Sequence, residues 1–99
     1  MSKYKRVITD EAKADVKNIS DYIAKDNIIA AMGAVKMISK AFVMISDFPD
    51  CGAKKNCIKA QGILVYTLKK RYNIIYKIDN DKIVFLRVLT KYQDLFAIL

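Results

Sequence analysis

The sequence contains no histidine, so acid–base chemistry near neutral pH would fall to a lysine, tyrosine or carboxylate with a perturbed pKa. It also lacks a Ser/His/Asp set, a Cys/His pair and a glycine-rich phosphate loop. Cys51 and Cys57 are the only cysteines, and a zinc site would need two more nitrogen or sulfur ligands. The sequence therefore predicts neither a metal site nor a bound cofactor.

Two further absences concern the compartment. No apolar run reaches the roughly 18 residues that a membrane span requires. The first six residues lack the apolar segment and cleavage site of a secretory signal. We therefore expect a cytoplasmic protein without a membrane partner, in which both cysteines are ordinary thiols because the compartment is reducing.

Acidic residues are scarce in the second half of the chain. Residues 1–50 hold eight Lys or Arg against seven Asp or Glu, a net charge of +1. Residues 51–99 hold ten against three, a net charge of +7, which accounts for most of the total of +8. A concentrated positive field indicates a polyanionic partner, either nucleic acid or an acidic protein. The alternative is an ordinary solvated basic surface.

What is present predicts one α+β domain over residues 1–99, of which 54% are hydrophobic. β-branched and aromatic runs over residues 62–68, 72–78 and 82–89 are separated by turn-forming segments and predict an antiparallel meander. Such a sheet needs a covering layer on one face.

The first half of the chain is expected to supply that layer as a helical hairpin. Thr9 is suited to cap a helix over residues 10–25, and Asp26 or Asn27 a second helix over residues 28–46. With short strands at 4–8 and 57–60 and a loop at 51–56, the predicted order is β-α-α-β-β-β-β. Five apolar residues of the second helix lie off its main stripe and are interpreted as additional core, the alternative being a patch for a partner: Ile29, Met32, Met37, Val43 and Met44.

In the sheet half of the chain, the polar residues that could act in chemistry or binding are lysines, arginines and one tyrosine. Cations of this kind can hold a phosphodiester backbone and stabilise charge at phosphorus, and Tyr92 could stack on a base. Arg87 interrupts an apolar strand and therefore needs a partner or a ligand. The candidate catalytic residues are Arg87, Lys91 and Tyr92. The candidate residues for binding nucleic acid or another target are Lys54, Lys55, Lys59, Lys69, Lys70 and Arg71.

Residues 4–12, 15–19 and 21–23 open a series of segments, spread over nearly the whole chain, that together resemble one known family. They are similar to the opening of the RelE/ParE toxins of type II toxin–antitoxin pairs in bacteria and archaea. Pro49-Asp50-Cys51-Gly52 looks like the family's Pro-x-x-Gly after the second helix. The tyrosine-bracketed strand at 72–78, the closing strand at 86–89 and Asp94-Leu95 complete the resemblance, which implies the fold described above.

The resemblance implies three alternative functions. One is a ParE-like inhibitor of DNA gyrase, which we favour; a second is a RelE-like endoribonuclease acting on ribosome-bound mRNA; the third is a non-toxic member that only binds antitoxin. Many relatives carry His or Tyr where this chain has Thr90, and Arg-Arg-Asp where it has Tyr92-Gln93-Asp94. An arginine common early in the third strand is replaced here by Val65 and Tyr66.

All three alternatives imply the same first partner. A family antitoxin wraps an acidic, partly disordered segment around its toxin and forms a hetero-oligomer with it. The basic half of this chain and the off-stripe residues of its second helix would offer complementary surface.

Overall fold

The computed structural model describes residues 4–54 and 62–90. These residues form two helices and five strands, with a single 3-10 turn at Pro49–Cys51. The elements in chain order are β1 (Lys5–Ile8), α1 (Asp10–Ala24), α2 (Ile28–Asp47), β2 (Ala53–Lys54), β3 (Ile63–Leu68), β4 (Tyr72–Asp79) and β5 (Lys82–Thr90).

This order confirms the predicted α+β fold with a helical hairpin on a sheet. Each helix ends within one residue of its prediction, α1 at Ala24 and α2 at Asp47. The loop predicted at 51–56 was wrong for Ala53–Lys54, which pairs with β3. Two residues are too few to show the alternation that marks a strand, so only the pairing reveals β2. The strand predicted at 57–60 lies outside the described residues.

Local capping explains where both helices begin. The side chain of Thr9 accepts a hydrogen bond from the Ala12 amide (3.1 Å), and that of Asn27 accepts one from the Ala30 amide (3.0 Å). Asp10 and Glu11 follow Thr9 in the first turn of α1, where negative charge favours the helix dipole. The predicted Thr9 cap is confirmed, and Asn27 rather than Asp26 caps α2.

The five strands form one sheet in the order β1-β5-β4-β3-β2. Neighbours among β2, β3, β4 and β5 are antiparallel, whereas β1 runs parallel to β5. The sheet is therefore mixed, where the sequence predicted an antiparallel one. A four-residue strand carries no sequence signal for its partner or its direction, so this detail depends on the tertiary structure.

The main core lies between the helical hairpin and the sheet. The ring centroids of Phe42 on α2 and Phe85 on β5 are 4.4 Å apart, and those of Phe85 and Tyr76 are 6.1 Å apart. Ile38, Ile45 and Ile74 are fully buried beside them. A second buried cluster occupies alternate strand positions on the other face of the sheet: Ile63, Val65, Ile75 and Leu89.

Helix α2 is apolar around more of its circumference than the core covers. Ile29, Met32 and Val43 are 82%, 67% and 45% exposed, so their interpretation as core was wrong. Met37 and Met44 are partly buried and pack against the core. Among the described helices, α2 is also the one long and apolar enough to cross a membrane by length and composition alone, a test that core helices of soluble proteins also pass.

Candidate functional site

Arg87 of β5 forms an ion pair with Asp15 of α1. The Nε atom of Arg87 donates to Asp15 Oδ2 (2.7 Å), and its Nη2 atom donates to Oδ1 (2.9 Å). The Val88 amide donates to Asp15 Oδ2 as well (2.9 Å). The two side chains are only 27% and 11% exposed, so both charges are largely removed from water.

This bidentate pair provides the partner that the sequence analysis required for Arg87. Donating hydrogen bonds to the Asp15 carboxylate raises the pKa of the Arg87 guanidinium, which keeps it charged. Two of its donor nitrogens already contact Asp15, which favours a structural role; a catalytic role stays a prediction. Sequence reasoning missed Asp15, although it lies three residues after Ala12 and four before Ile19, on the face that α1 buries.

The ion pair lies beside a β-bulge in β5. Ile75 is opposite Arg87, whereas the next residue, Tyr76, is opposite Phe85, so Leu86 is the extra residue. The Thr9 amide donates to Phe85 O (3.1 Å), and the Thr9 hydroxyl lies 3.0 Å from both Phe85 O and Leu86 O. Thr9 and Asp15 therefore attach α1 to the bulged part of β5 at two successive points.

Tyr76 makes a second internal attachment, between β4 and the segment that follows α2. Its hydroxyl donates to Pro49 O (2.6 Å) and accepts from the Gly52 amide (2.9 Å). Burial raises the pKa of Tyr76 well above the ordinary tyrosine range, so the hydroxyl remains a donor. A Cβ at position 52 would overlap the Tyr76 hydroxyl, which explains why the Pro-x-x-Gly motif ends in glycine here.

The predicted cations Lys69, Lys70 and Arg71 form the turn between β3 and β4. The Arg71 amide donates to Leu68 O (3.0 Å) and closes the turn. Lys69 and Lys70 have φ values of +52° and +57°, in the left-handed region that favours Asn and Gly. All three residues are exposed, and no side chain within residues 4–54 and 62–90 forms an ion pair or hydrogen bond with theirs.

The structure places only part of the predicted site. The Lys54 backbone lies in β2, opposite Leu64. Four predicted residues lie outside the described part of the chain: Lys55, Lys59, Lys91 and Tyr92. Cys51 is a free, exposed thiol, and Cys57 lies outside the described residues, so the prediction for both cysteines stays a prediction. In the described ranges no three His, Cys, Asp or Glu side chains are grouped so as to hold a metal ion.

An open groove separates α2 from β3 on the helical side of the sheet. It has a volume of about 280 Å³ and is almost entirely apolar apart from one cation. Its lining residues are Met37, Lys40, Ala41, Met44, Tyr66 and Leu68. A groove of this composition suits an apolar side chain or one face of an amphipathic helix.

Solved structures of toxins share this fold. The chromosomal ParDE system of P. aeruginosa superposes with a TM-score of 0.75 at 21% identity, covering 89% of this chain and 96% of that one. The RelBE2 toxin–antitoxin complex of Mycobacterium tuberculosis gives 0.66 at 20% identity, covering 94% and 97%. The YoeB dimer of Staphylococcus aureus gives 0.62 at 17% identity, covering 94% and 100%. At these identities the likeness establishes the fold.

The sequence itself defines the family. A family model described as the ParE toxin of the type II toxin–antitoxin system parDE matches residues 7–95. The chain therefore belongs to this ParE toxin family, and the resemblance to the RelE/ParE toxins is confirmed. No curated protein sequence matches it.

Proposed function

We propose that this toxin inhibits growth by acting on DNA gyrase in the ParE manner, without catalysing a reaction itself. The observation that carries the proposal is the match of residues 7–95 to the ParE toxin family. The Arg87–Asp15 pair adds support, because the one candidate catalytic side chain among the described residues has its Nε and Nη2 atoms bonded to a carboxylate.

A cognate antitoxin with an acidic, partly disordered segment is the proposed first partner. The net charge of +8 favours an acidic chain, and the apolar groove beside α2 favours a segment with an apolar face. Lys40 at the groove would pair with a carboxylate of that segment. The complex would be a hetero-oligomer that blocks the toxin's access to its target.

Ribosome-dependent cleavage of mRNA is the second candidate function. Basic residues together with Lys91 and Tyr92 supply the residue types that can stabilise a phosphorane and move a proton. The fold shared with the RelBE2 toxin is compatible with this function but does not distinguish it. A member that only binds antitoxin is the remaining alternative.

Two assays on the purified toxin separate these functions. The first measures supercoiling of relaxed plasmid by gyrase and ATP with increasing toxin, and the second measures cutting of mRNA on programmed ribosomes. Inhibited supercoiling with intact mRNA is the expected result. Cut mRNA with unaffected gyrase would overturn the proposal in favour of the nuclease. Inactivity in both assays, with growth also unaffected, would favour the antitoxin-binding alternative.

Asp15→Ala is the matched control for a catalytic role of Arg87. Both Arg87→Ala and Asp15→Ala break the same ion pair, but only Arg87→Ala removes the guanidinium. If Arg87 acts on RNA, Arg87→Ala abolishes cutting while folded Asp15→Ala retains it. Equal activities at equal folded fractions are expected if Arg87 is structural. Tyr92→Phe tests proton transfer in the same assay.

A further inference from the structure

The turn between β3 and β4 adopts a backbone conformation that its residues disfavour. Lys69 and Lys70 both have positive φ, at +52° and +57°, where Asn-Gly is the preferred pair in a tight hairpin turn. Non-glycine residues in the left-handed region are uncommon, and two in succession are more so. The chain therefore places lysines at positions where other residues would fold more favourably, and such strain is concentrated at functional positions in proteins.

The strained turn concentrates positive charge at one tip of the sheet. Lys69, Lys70 and Arg71 are consecutive and exposed, and in the described ranges their side chains have no carboxylate or hydrogen-bond partner. The Arg71–Leu68 hydrogen bond and the flanking β3–β4 ladder hold the tip in place. These three cations, which have no ion-pair or hydrogen-bond partner among the described side chains, are therefore available to an anion at the end of a fully paired hairpin.

The surroundings of the tip favour a phosphate backbone over a protein surface. Leu68 and Tyr72, which flank the turn, are each only 7% exposed, so they offer almost no apolar contact area. The next pair along the hairpin is polar, with the Thr67 hydroxyl donating to Asn73 Oδ1 (3.0 Å). Protein interfaces are usually anchored by buried apolar or aromatic side chains, whereas cations and polar groups alone hold phosphates.

We propose that the turn formed by Lys69, Lys70 and Arg71 binds the phosphodiester backbone of a nucleic acid without reading its sequence. This inference rests on the proposed function in one respect, which is the kind of nucleic acid that the turn would contact. A toxin that acts on gyrase would meet DNA, and a toxin that acts on the ribosome would meet mRNA. In either complex the turn would contact the bound nucleic acid while other surfaces of the toxin contact the protein or ribosome.

The double substitution Lys69→Asn with Lys70→Gly tests the proposal without weakening the fold. It removes two charges and installs the preferred residues for positive φ, so lost binding cannot be attributed to unfolding. The matched control is Lys13→Gln with Lys36→Gln, which removes the same charge from exposed positions of α1 and α2. The probes are a fluorescent 20-base-pair DNA duplex and a 20-nucleotide single-stranded RNA, whose anisotropy is measured from about 50 to 200 mM salt.

We expect the wild-type toxin to bind with a log Kd that rises linearly with log salt. The turn variant should bind at least about tenfold more weakly at 50 mM salt, with a slope lower by roughly 2 for two lost phosphate contacts. The helix control should stay within about threefold of the wild type, because it loses only the long-range attraction.

Equal losses in the turn variant and the helix control would overturn the proposal, since the effect would then be net charge alone. So would an absence of binding to both probes, or equally strong competition by poly-L-glutamate, which would favour an acidic protein. Tighter binding to RNA than to DNA would support the phosphate contact and redirect the target to mRNA. Gyrase inhibition is measured separately, so failure of that assay leaves this test intact.

Discussion

Two groups of cations on the same sheet differ in what they contact. Arg87 lies partly buried beside α1 and is held by both oxygens of Asp15. Lys69, Lys70 and Arg71 lie exposed at a hairpin tip and form no ion pair or side-chain hydrogen bond with another described residue. Each of these four cations adds one positive charge to the sheet half, yet of the two groups only the one at the hairpin tip leaves its charge available to a partner.

The comparison shows that an unusual position does not by itself make a residue functional. A cation within an apolar strand stands out in a sequence because burying it alone is costly, and Asp15 removes that cost here. A lysine at a turn is ordinary in a sequence, and only its φ value shows that it is disfavoured. Substitutions should therefore change stability at the Asp15–Arg87 pair and binding at the turn.

The largest effect is expected from Asp15→Ala. It leaves the partly buried guanidinium of Arg87 without its carboxylate and removes the acceptor of the Val88 amide. We expect a loss of about 2–4 kcal/mol in the free energy of unfolding, measured by urea denaturation.

Asp21→Ala is the matched control for that prediction, because Asp21 lies on the same helix in an ion pair with Lys17 whose side chains are 61% and 78% exposed. Exposed pairs contribute little, so its loss should stay below about 0.5 kcal/mol. Similar losses for the two variants would contradict a special role for Asp15.

An intermediate effect is expected from Gly52→Ala. The added Cβ would overlap the Tyr76 hydroxyl and displace its hydrogen bonds to Pro49 and to position 52 itself. The free energy of unfolding should fall by about 1–3 kcal/mol. Gly33→Ala, where a Cβ meets nothing within 4 Å in α2, should instead raise it by about 0.5–1 kcal/mol. Stabilisation by both alanines would refute the close contact.

The smallest effect is expected from Lys69→Asn with Lys70→Gly. Replacing two lysines that have positive φ removes unfavourable backbone strain, so the free energy of unfolding should rise by about 1 kcal/mol. The same variant is expected to lose nucleic-acid binding. Thermal denaturation at two salt concentrations separates the backbone effect from reduced repulsion, since only the repulsion weakens at higher salt. An unchanged or lower stability at high salt would mean that the lysines are not strained.

The helices could be predicted nearly to the residue because their signals are local. Thr9 and Asn27 bond amides three residues onward, and the buried stripe of α2 follows from helical spacing. Strands β3, β4 and β5 could be predicted equally well, from their β-branched residues and the turn-forming segments between them. Exposure was predicted less well: Ile29 and Met32 are apolar, but the core does not extend to that side of α2.

The candidate site was predicted as a set of residue types, and its geometry was not. Arg87 was expected to need a partner, but Asp15 lies 72 residues away and nothing in the spacing identified it. Glycine at position 52 could be recognised as part of a motif, yet its reason is the hydroxyl of Tyr76, on a strand that begins 20 residues later.

The sequence by itself determined the fold class and the family of this protein: short-range propensities and hydrophobic spacing specify the helices and strands of an α+β domain, and the match of residues 7–95 to the ParE toxin family identifies it as a toxin. Only the tertiary structure decided that β1 runs parallel to β5 and that α1 is attached to β5 at a bulge at Leu86. It also decided which cations form ion pairs with carboxylates. These features depend on contacts between distant segments, whose geometry is set by packing and by the need of buried polar groups for partners.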